Sequence, residues 1–460
     1  MQTKTRISSM AARFLSSSTF LNLQRNKARL ARKISGNAPA VNYFHQIDDP
    51  YSHLCVQKLD QLTATYNLPF KVHLVSKPSS DYQGSSDHFD AWAIRDALSI
   101  AQDYGTVFET PCDSISTQTL DRANNLLAQH LDSKEFARQA FDIGKAYWHG
   151  DTLPAPSGDL GLEAVAKGNT RRQKLGHYAG GMFYFEGEWF WGIDRIRVLE
   201  QRLTNEGFKV ANNIGGQVDS SVESSIKKVE NKINSTRFCV PEPTPKTLSR
   251  TNQGVAAAAI TLEYFPSLRS PYTAIGHQRV LDMIKRTGVK VLLRPVMPML
   301  MRGIPAPFKK KRYIIQDSGR EARFRNIPFG NIVDPFGEPV KRAFALFPAA
   351  MKLGKGMEFV GEYLAASWAT GLDITNDTGL KLIAANAGID WLELQQARQD
   401  TDWQAVLDDN LEAMLEAGLW GVPSFRVSGG SPATEPYSCW GQDRIWRVEN
   451  EIVNRIQNGE

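Results

Sequence analysis

Apolar positions along the chain change period in an order that occurs twice. "AVNYFHQID" from Ala40 alternates and carries aromatics, which predicts a strand running into Asp49-Pro50, and "YSHLCVQKLDQLTATYN" from Tyr51 then has the apolar spacing of a helix face. "FKVHLVSKP" from Phe70 predicts a second strand closed by proline. Helical spacing follows through about Tyr147. "GMFYFEGEWFWGIDRIRVLEQRL" from Gly181 then predicts a hairpin with a Glu-Gly turn and a helix from about Asp194. At "AAAITLEYF" the order restarts, with a strand, a Ser270-Pro271 turn, the helix "YTAIGHQRVLDMIKRTG" and the strand "VKVLLRPVM". Residues 340–418 are mostly helical by periodicity, and "GVPSFRV" and "CWGQDRIWRVENEIVNRIQ" close the chain with strand, hairpin and helix.

Two sequence matches fall at corresponding points of this order. "YFHQIDDPYSHL" from Tyr43 aligns without a gap on "YFPSLRSPYTAI" from Tyr264, and "WGIDRIRVLE" from Trp191 aligns on "WGQDRIWRVE" from Trp440. Their shared order and placement predict tandem duplication of one βαβ…ββα unit. Between the copies, "NNIGGQVDSS", the charged "VESSIKKVENKI" and "PEPTPK" have the Gly, Ser and Pro density of a linker holding one short helix. The predicted division is a basic helical segment at 1–40, a first domain at 41–204, a linker at 205–258 and a second domain at 259–460.

Composition narrows the class. With 460 residues, 42% hydrophobic and 22% charged, the chain is long enough for two cores and has no apolar run that would cross a bilayer. The net charge of +5 has a local origin: residues 1–47 contain no Asp or Glu, but do contain Lys4, Arg6, Arg13, Arg25, Lys27, Arg29, Arg32 and Lys33. Such a start fits a transit segment, a basic helix touching nucleic acid or anionic lipid, or a solvated helix packing one apolar edge onto the first domain. The last is the expectation, and a nucleic-acid partner is not expected. Cys55, Cys112, Cys239 and Cys439 form no C-x-x-C pair and no metal-ligand spacing, which predicts a reducing, cytoplasmic setting and no metal site.

The chemistry sits at the turn after the first strand of each copy. A Ser or Asp before Pro at a helix start is an N-cap, and the same helix end favours an anion. "EYFPSLRSPYTAIG", "APFKKKRYIIQDSGREARFRNIPF", "GLWGVPSF" and "CWGQDRIWRVE", in this order, resemble the 2-hydroxychromene-2-carboxylate isomerase and kappa-class glutathione transferase family, within the DsbA-like thioredoxin superfamily. The resemblance covers about residues 259–457, and residues 40–204 resemble the same family as a shorter, degenerate copy. It implies an α/β fold of two tandem thioredoxin-like (DsbA-like) domains, each with a helical insertion.

The resemblance also implies glutathione as cofactor. Ser270 would stabilise its thiolate, and Val422, before a Pro423 expected to be cis, would pair its backbone with the cysteinyl part. Gln442 and Asp443 would receive the γ-glutamyl end, and Lys310 would help hold the tripeptide. Two departures stand against it. "MRGIPAPF" lacks the family's Gly-Asn, and the hairpin carries the insertion "SGGSPATEPYSC" ending in Cys439; neither turn has cysteines for a disulfide, which stands against a DsbA-type oxidoreductase. Cys439 is expected to be buried and inert.

In the first copy Asp49 stands at the position of Ser270, where a carboxylate would raise a neighbouring thiol's pKa, and Gly180-Gly181 stands where Val422-Pro423 is expected. That copy reads as a structural or regulatory domain keeping Trp191, Asp194 and Arg195 for folding, or else one in which Asp48 or Asp49 acts as acid or base. The lead expectation is a glutathione-dependent isomerase or transferase acting on a small aromatic or electrophilic substrate. A non-catalytic binding scaffold and, more weakly, a DsbA-like thiol oxidoreductase are the other readings. Both a monomer with intramolecular domain pairing and a homodimer remain open.

Overall fold

The computed structural model describes residues 3–84, 86–210, 238–246, 257, 259–398, 402–430 and 434–458. Its contacts divide the chain into two compact units. One is formed by Asn22–Ser79 and Ala93–Pro243, the other by Met1–Leu21, Ser80–Trp92 and Thr244–Glu460.

In the first of these, β1 (Val41–His45), β2 (Phe70–Leu74), β3 (Met182–Phe185) and β4 (Glu188–Trp191) form a sheet in the order β2-β1-β3-β4. β1 runs parallel to β2 and antiparallel to β3, which turns into β4. The other unit repeats the arrangement with β5 (Ile260–Phe265), β6 (Lys290–Leu293), β7 (Ser424–Gly429) and β8 (Tyr437–Trp440), in the order β6-β5-β7-β8 and with the same directions. Parallel neighbours need a crossover and antiparallel neighbours accept a tight turn, so the helix between β1 and β2, like that between β5 and β6, follows from the pairing. The β3–β4 turn is Glu186-Gly187, both at positive φ (36° and 87°), the pairing that a two-residue hairpin favours.

The strands at the centre are buried on both faces. Every residue of β1 is buried, and in β5 only Thr261 is not. A charge on such a strand needs partners: Glu263 is 6% exposed and receives Arg294 at 2.7 Å and Arg426 at 3.3 Å. The helical insertion of the β5–β8 unit comprises Glu338–Lys352, Gly356–Trp368, Asp377–Asn386, Trp391–Arg398 and Trp403–Glu416. It buries Phe344, Phe347, Phe359 and Tyr363 in one core with Leu262 and Tyr264 of the sheet.

Three departures from the sequence reading have physical causes. The helix expected from Tyr51 breaks into Pro50–Val56 and Leu59–Thr65. A helix at Gly161–Leu175 was not expected, because Gly168, Asn169 and Thr170 lower its propensity. Gly168 is there for packing, since a Cβ at that position would lie 1.8 Å from the Leu74 carbonyl oxygen of β2. Finally, the basic segment forms two helices, Thr3–Ser16 and Ser18–Ile34, and it is their polar side that packs inward. The short helix expected in the 205–258 stretch falls within 211–237, outside the described residues. Beyond it, the Cys239 and Val240 amides donate to the Glu200 carboxylate at 2.7 and 2.9 Å.

Candidate functional site

The site of the β5–β8 unit begins where β5 ends. Proline at the first helical position starts the helix Pro271–Thr287, because its fixed φ suits that place and its missing N–H costs nothing there. Ser270 is the N-cap, and its Oγ accepts the Thr273 N–H at 3.1 Å. A serine hydroxyl also has one proton to donate. Among the described residues nothing accepts it, and Ser270 is 8% exposed. Arg269 is held beside it by Asp334 through two contacts, 2.7 and 3.1 Å, and Ser8 donates to the same carboxylate at 2.9 Å. Burial alone would raise the Asp334 carboxyl, but these donors outweigh it and hold it below the ordinary range.

Val422 and Pro423 lead into β7 and are joined by a cis peptide, as the sequence reading expects. Phe265 pairs with Ser424, so this peptide and the Ser270 turn lie at the same end of neighbouring strands. The Gly441 N–H donates to the Pro423 carbonyl at 2.9 Å, which brings "GQDR" to the same place. Gln442, Asp443 and Arg444 form a short 3₁₀ turn before the closing helix Ile445–Asn458.

Gln442 packs over Gly276 of the capped helix, where an added Cβ would meet its Cβ at 3.2 Å. Its side chain is committed internally: Oε1 accepts from Arg279 at 2.7 Å, and Nε2 donates to Asp443 at 2.5 Å and more weakly to Glu321. Any role of Gln442 toward a ligand therefore passes through its backbone. Asp443 is half-buried on the same turn. Cys439, at the end of the insertion, is 2% exposed; residues 431–433 of that insertion lie outside the described residues.

Lys310 lies on the helix Phe308–Phe324. It has no hydrogen-bond or ion-pair partner among the described residues, and burial lowers its ammonium pKa to about 8. Its Nζ and the Trp420 Nε1 both face Gly84, at 3.8 and 3.6 Å from where a Cβ would stand. Trp420 in turn stacks obliquely with Trp440 at 5.1 Å, and Trp92 meets Trp440 edge-on at 5.0 Å.

Trp440 also lies against Gly421, where an added Cβ would stand 2.4 Å from its ring. Sequence reasoning missed Trp92 and Trp420. "GLWGVPSF" offered Trp420, but nothing local ties Ser80–Trp92, encoded after β2, to a turn before β7.

The corresponding place in the β1–β4 unit has the same frame and different chemistry. Gly192 donates to Gly181 at 2.8 Å, as Gly441 does to Pro423. Asp49 caps the helix Pro50–Val56, accepting from the Tyr51 and Ser52 amides and from the Ser52 hydroxyl at 2.7 Å. Burial raises its carboxyl to about 6 against the pull of these donors. Gly181, at φ 60°, sits so close that a Cβ would stand 2.9 Å from Asp49 Oδ2. Asp194, the counterpart of Asp443, accepts the Tyr104 hydroxyl at 2.7 Å. Cys55 is fully buried, and burial, with Asp49 adding to it, pushes its thiol well up.

Residues 261–453 match the family model of the DSBA-like thioredoxin domain, and this part of the chain is a domain of that kind. No curated protein matches the chain. Similar solved structures include a 2-hydroxychromene-2-carboxylate isomerase, at 16% identity, covering 42% of this chain and 95% of that one, with TM-score 0.33. The cytosolic disulfide reductase DsbM from Pseudomonas aeruginosa matches at 20% identity, 42% and 98% coverage and TM-score 0.34. The thiol-disulfide exchange protein alpha-DsbA2 from Wolbachia pipientis matches at 11% identity, 52% and 99% coverage and TM-score 0.30. Among the described residues no helix is long and apolar enough to cross a membrane, and no cluster of His, Cys, Asp or Glu has the make-up of a metal site.

Proposed function

We propose that the β5–β8 unit binds glutathione and applies its thiolate to a small aromatic or electrophilic substrate, by isomerisation or conjugation. The observation that carries this reading is the Ser270 hydroxyl, whose proton is uncommitted at the start of a 17-residue helix beside a backbone segment held in place by Gly441. A donor in that position, together with the opening amides of the helix, favours a thiolate over a thiol. The residues present suit the tripeptide. Lys310 is a desolvated cation awaiting an anion, Val422 offers backbone groups for strand-like pairing, and the Gln442–Asp443 turn combines amides for a carboxylate with an acid for an ammonium.

Bound glutathione would supply the nucleophilic sulfur, adding reversibly to a conjugated carbonyl or remaining on an electrophile. The chain's own part is to hold the sulfur charged near neutral pH and to orient both ends of the tripeptide. The β1–β4 unit is read as a second copy of the same fold in which Asp49 and Gly181 replace the requirements for that charge.

Calorimetric titration of the full chain with reduced glutathione tests the binding. Ultraviolet thiolate absorbance against pH, in wild type and Ser270→Ala, tests the role of the hydroxyl. The expected result is saturable binding and a bound thiol whose pKa rises by about one unit in the variant. Absence of binding at millimolar-scale concentration overturns the reading in favour of a scaffold; binding with an unmoved thiol titration removes Ser270 from the chemistry.

A further inference from the structure

The first two helices are inverted in amphipathic sense. A surface helix ordinarily turns its apolar stripe inward. In Thr3–Ser16 it is the small and polar side that docks. Ser9 and Ser16 are each 3% exposed, the Asp334 N–H donates to Ser9 Oγ at 3.0 Å, Arg13 donates to the Ile332 carbonyl at 2.9 Å, and Arg323 donates to the Ser16 carbonyl at 2.7 Å. The opposite side presents Ile7, Met10 and Phe14 at helical spacing, 64%, 68% and 49% exposed.

Ser18–Ile34 repeats the inversion within its own surroundings. It buries no residue, and it is anchored by Arg25 to Glu188 at 2.8 Å and by Arg29 and Arg32 to Glu186. Leu23, Leu30 and Ile34 face out at 56%, 60% and 77% exposure.

Charge identifies what such faces fit. Arg6, Lys27 and Lys33 are exposed and have no hydrogen-bond or ion-pair partner among the described residues. No acidic residue occurs before Asp48. Apolar side chains flanked by unpaired cations, on helices whose polar side is already engaged, match an interface that offers acyl chains and negative headgroups together. An acidic protein would satisfy the cations and leave the apolar stripes in water. A spanning insertion is excluded by the docked side of each helix and by the absence of a long apolar segment among the described residues.

We infer that each of these two helices docks, by its own outward side, on an anionic phospholipid surface, the first with Ile7, Met10 and Phe14 facing the lipid and the second with Leu23, Leu30 and Ile34. This is independent of the glutathione reading.

Cosedimentation of the full chain with phosphatidylcholine vesicles, with and without a minority of phosphatidylglycerol, tests it. Wild type is expected to partition onto the anionic vesicles and to be released by high salt. The combined variant Ile7→Ser, Met10→Ser, Phe14→Ser is expected to lower that partitioning at least about tenfold with an unchanged thermal melt. If that variant folds poorly, Lys27→Glu with Lys33→Glu, on the exposed side alone, provides the second arm and is expected to abolish the preference for anionic over neutral vesicles. The inference is overturned by a wild type that stays in the supernatant or by partitioning that neither variant changes. It is also overturned by a self-associated species that the serine variant dissociates without any vesicle binding, or by salt-sensitive DNA binding in place of lipid binding.

Discussion

The turn after β1 and the turn after β5 share their frame almost contact for contact. In each, a Pro-Tyr pair opens a helix, and the tyrosine hydroxyl donates to an aspartate 45 residues on, Tyr51 to Asp96 at 2.6 Å and Tyr272 to Asp317 at 2.8 Å. In each, a hydroxyl residue after the tyrosine accepts an amide from the preceding loop, at 3.2 Å for Ser52 and 3.5 Å for Thr273. The difference lies in two positions. An ionised carboxylate at Asp49 can only accept, and both its oxygens are engaged by the turn; the hydroxyl at Ser270 accepts once and retains a proton to give. Gly181 closes down on Asp49, whereas Val422 and Pro423 are joined by a cis peptide. Both caps stabilise their helix comparably, so the comparison separates what capping requires from what binding an anion requires.

The largest effect is expected from exchanging the platform. Gly180→Val with Gly181→Pro puts a Cβ 2.5 Å from that of Gln46 and demands negative φ where the backbone stands at +60°. Amide hydrogen exchange of β1 and β3 should report a loss of about 3 kcal/mol or more in the β1–β4 unit. Unchanged protection would mean that Gly181 is incidental to the closure.

Next comes the buried carboxyl. Its folded pKa is raised to about 6 from an ordinary value near 3.8, so the charged form is the one folding disfavours. The penalty is absent below about pH 4, grows as pH rises through the folded pKa and is complete above it. Relative to Asp49→Asn, wild type should therefore lose roughly 2–3 kcal/mol between pH 4 and pH 7. Parallel melting curves across that window would contradict the assignment.

Tyr51→Phe and Tyr272→Phe should each cost about 1.5–2 kcal/mol in the unit that contains them, because each leaves a carboxylate without its phenol donor. Markedly unequal losses, read by hydrogen exchange in each sheet, would weaken the case for duplication.

The smallest and most discriminating change is Ser270→Asp. It transplants the cap of the turn after β1 into the turn after β5, and Asp caps about as well as Ser. Below about pH 5, where a carboxyl buried like that of Asp49 is neutral, stability should move by no more than about 0.5 kcal/mol, while glutathione affinity at neutral pH falls about tenfold through like-charge repulsion. Retained affinity would show that a thiolate is not what the turn holds.

Much of the scaffold could be read from the chain. The period-two runs at Tyr43 and Tyr264, the Glu186-Gly187 turn, the paired "WG-x-DRI" segments and the cis bond before Pro423 are local or motif-borne features, and each emerged where it was expected. The helix at Gly161–Leu175 did not, since Gly168 looks like a breaker until the Leu74 carbonyl is seen beside it. The inward polar side of the first helix was likewise invisible, because its partners, Asp334 and Arg323, lie more than 300 residues away.

By itself the sequence determined the order of strands and helices, the two capped turns and the residue types standing at each. These follow from periodicity, proline and glycine geometry and side-chain chemistry acting over a few residues. Tertiary structure alone decided that Gln442 spends its side chain on Arg279, that Lys310 is desolvated with no partner among the described residues, and that Trp92 comes to rest against Trp440. Those outcomes depend on which distant groups fill the space around a side chain, and burial sets the worth of every charge and hydrogen bond only once that space is filled.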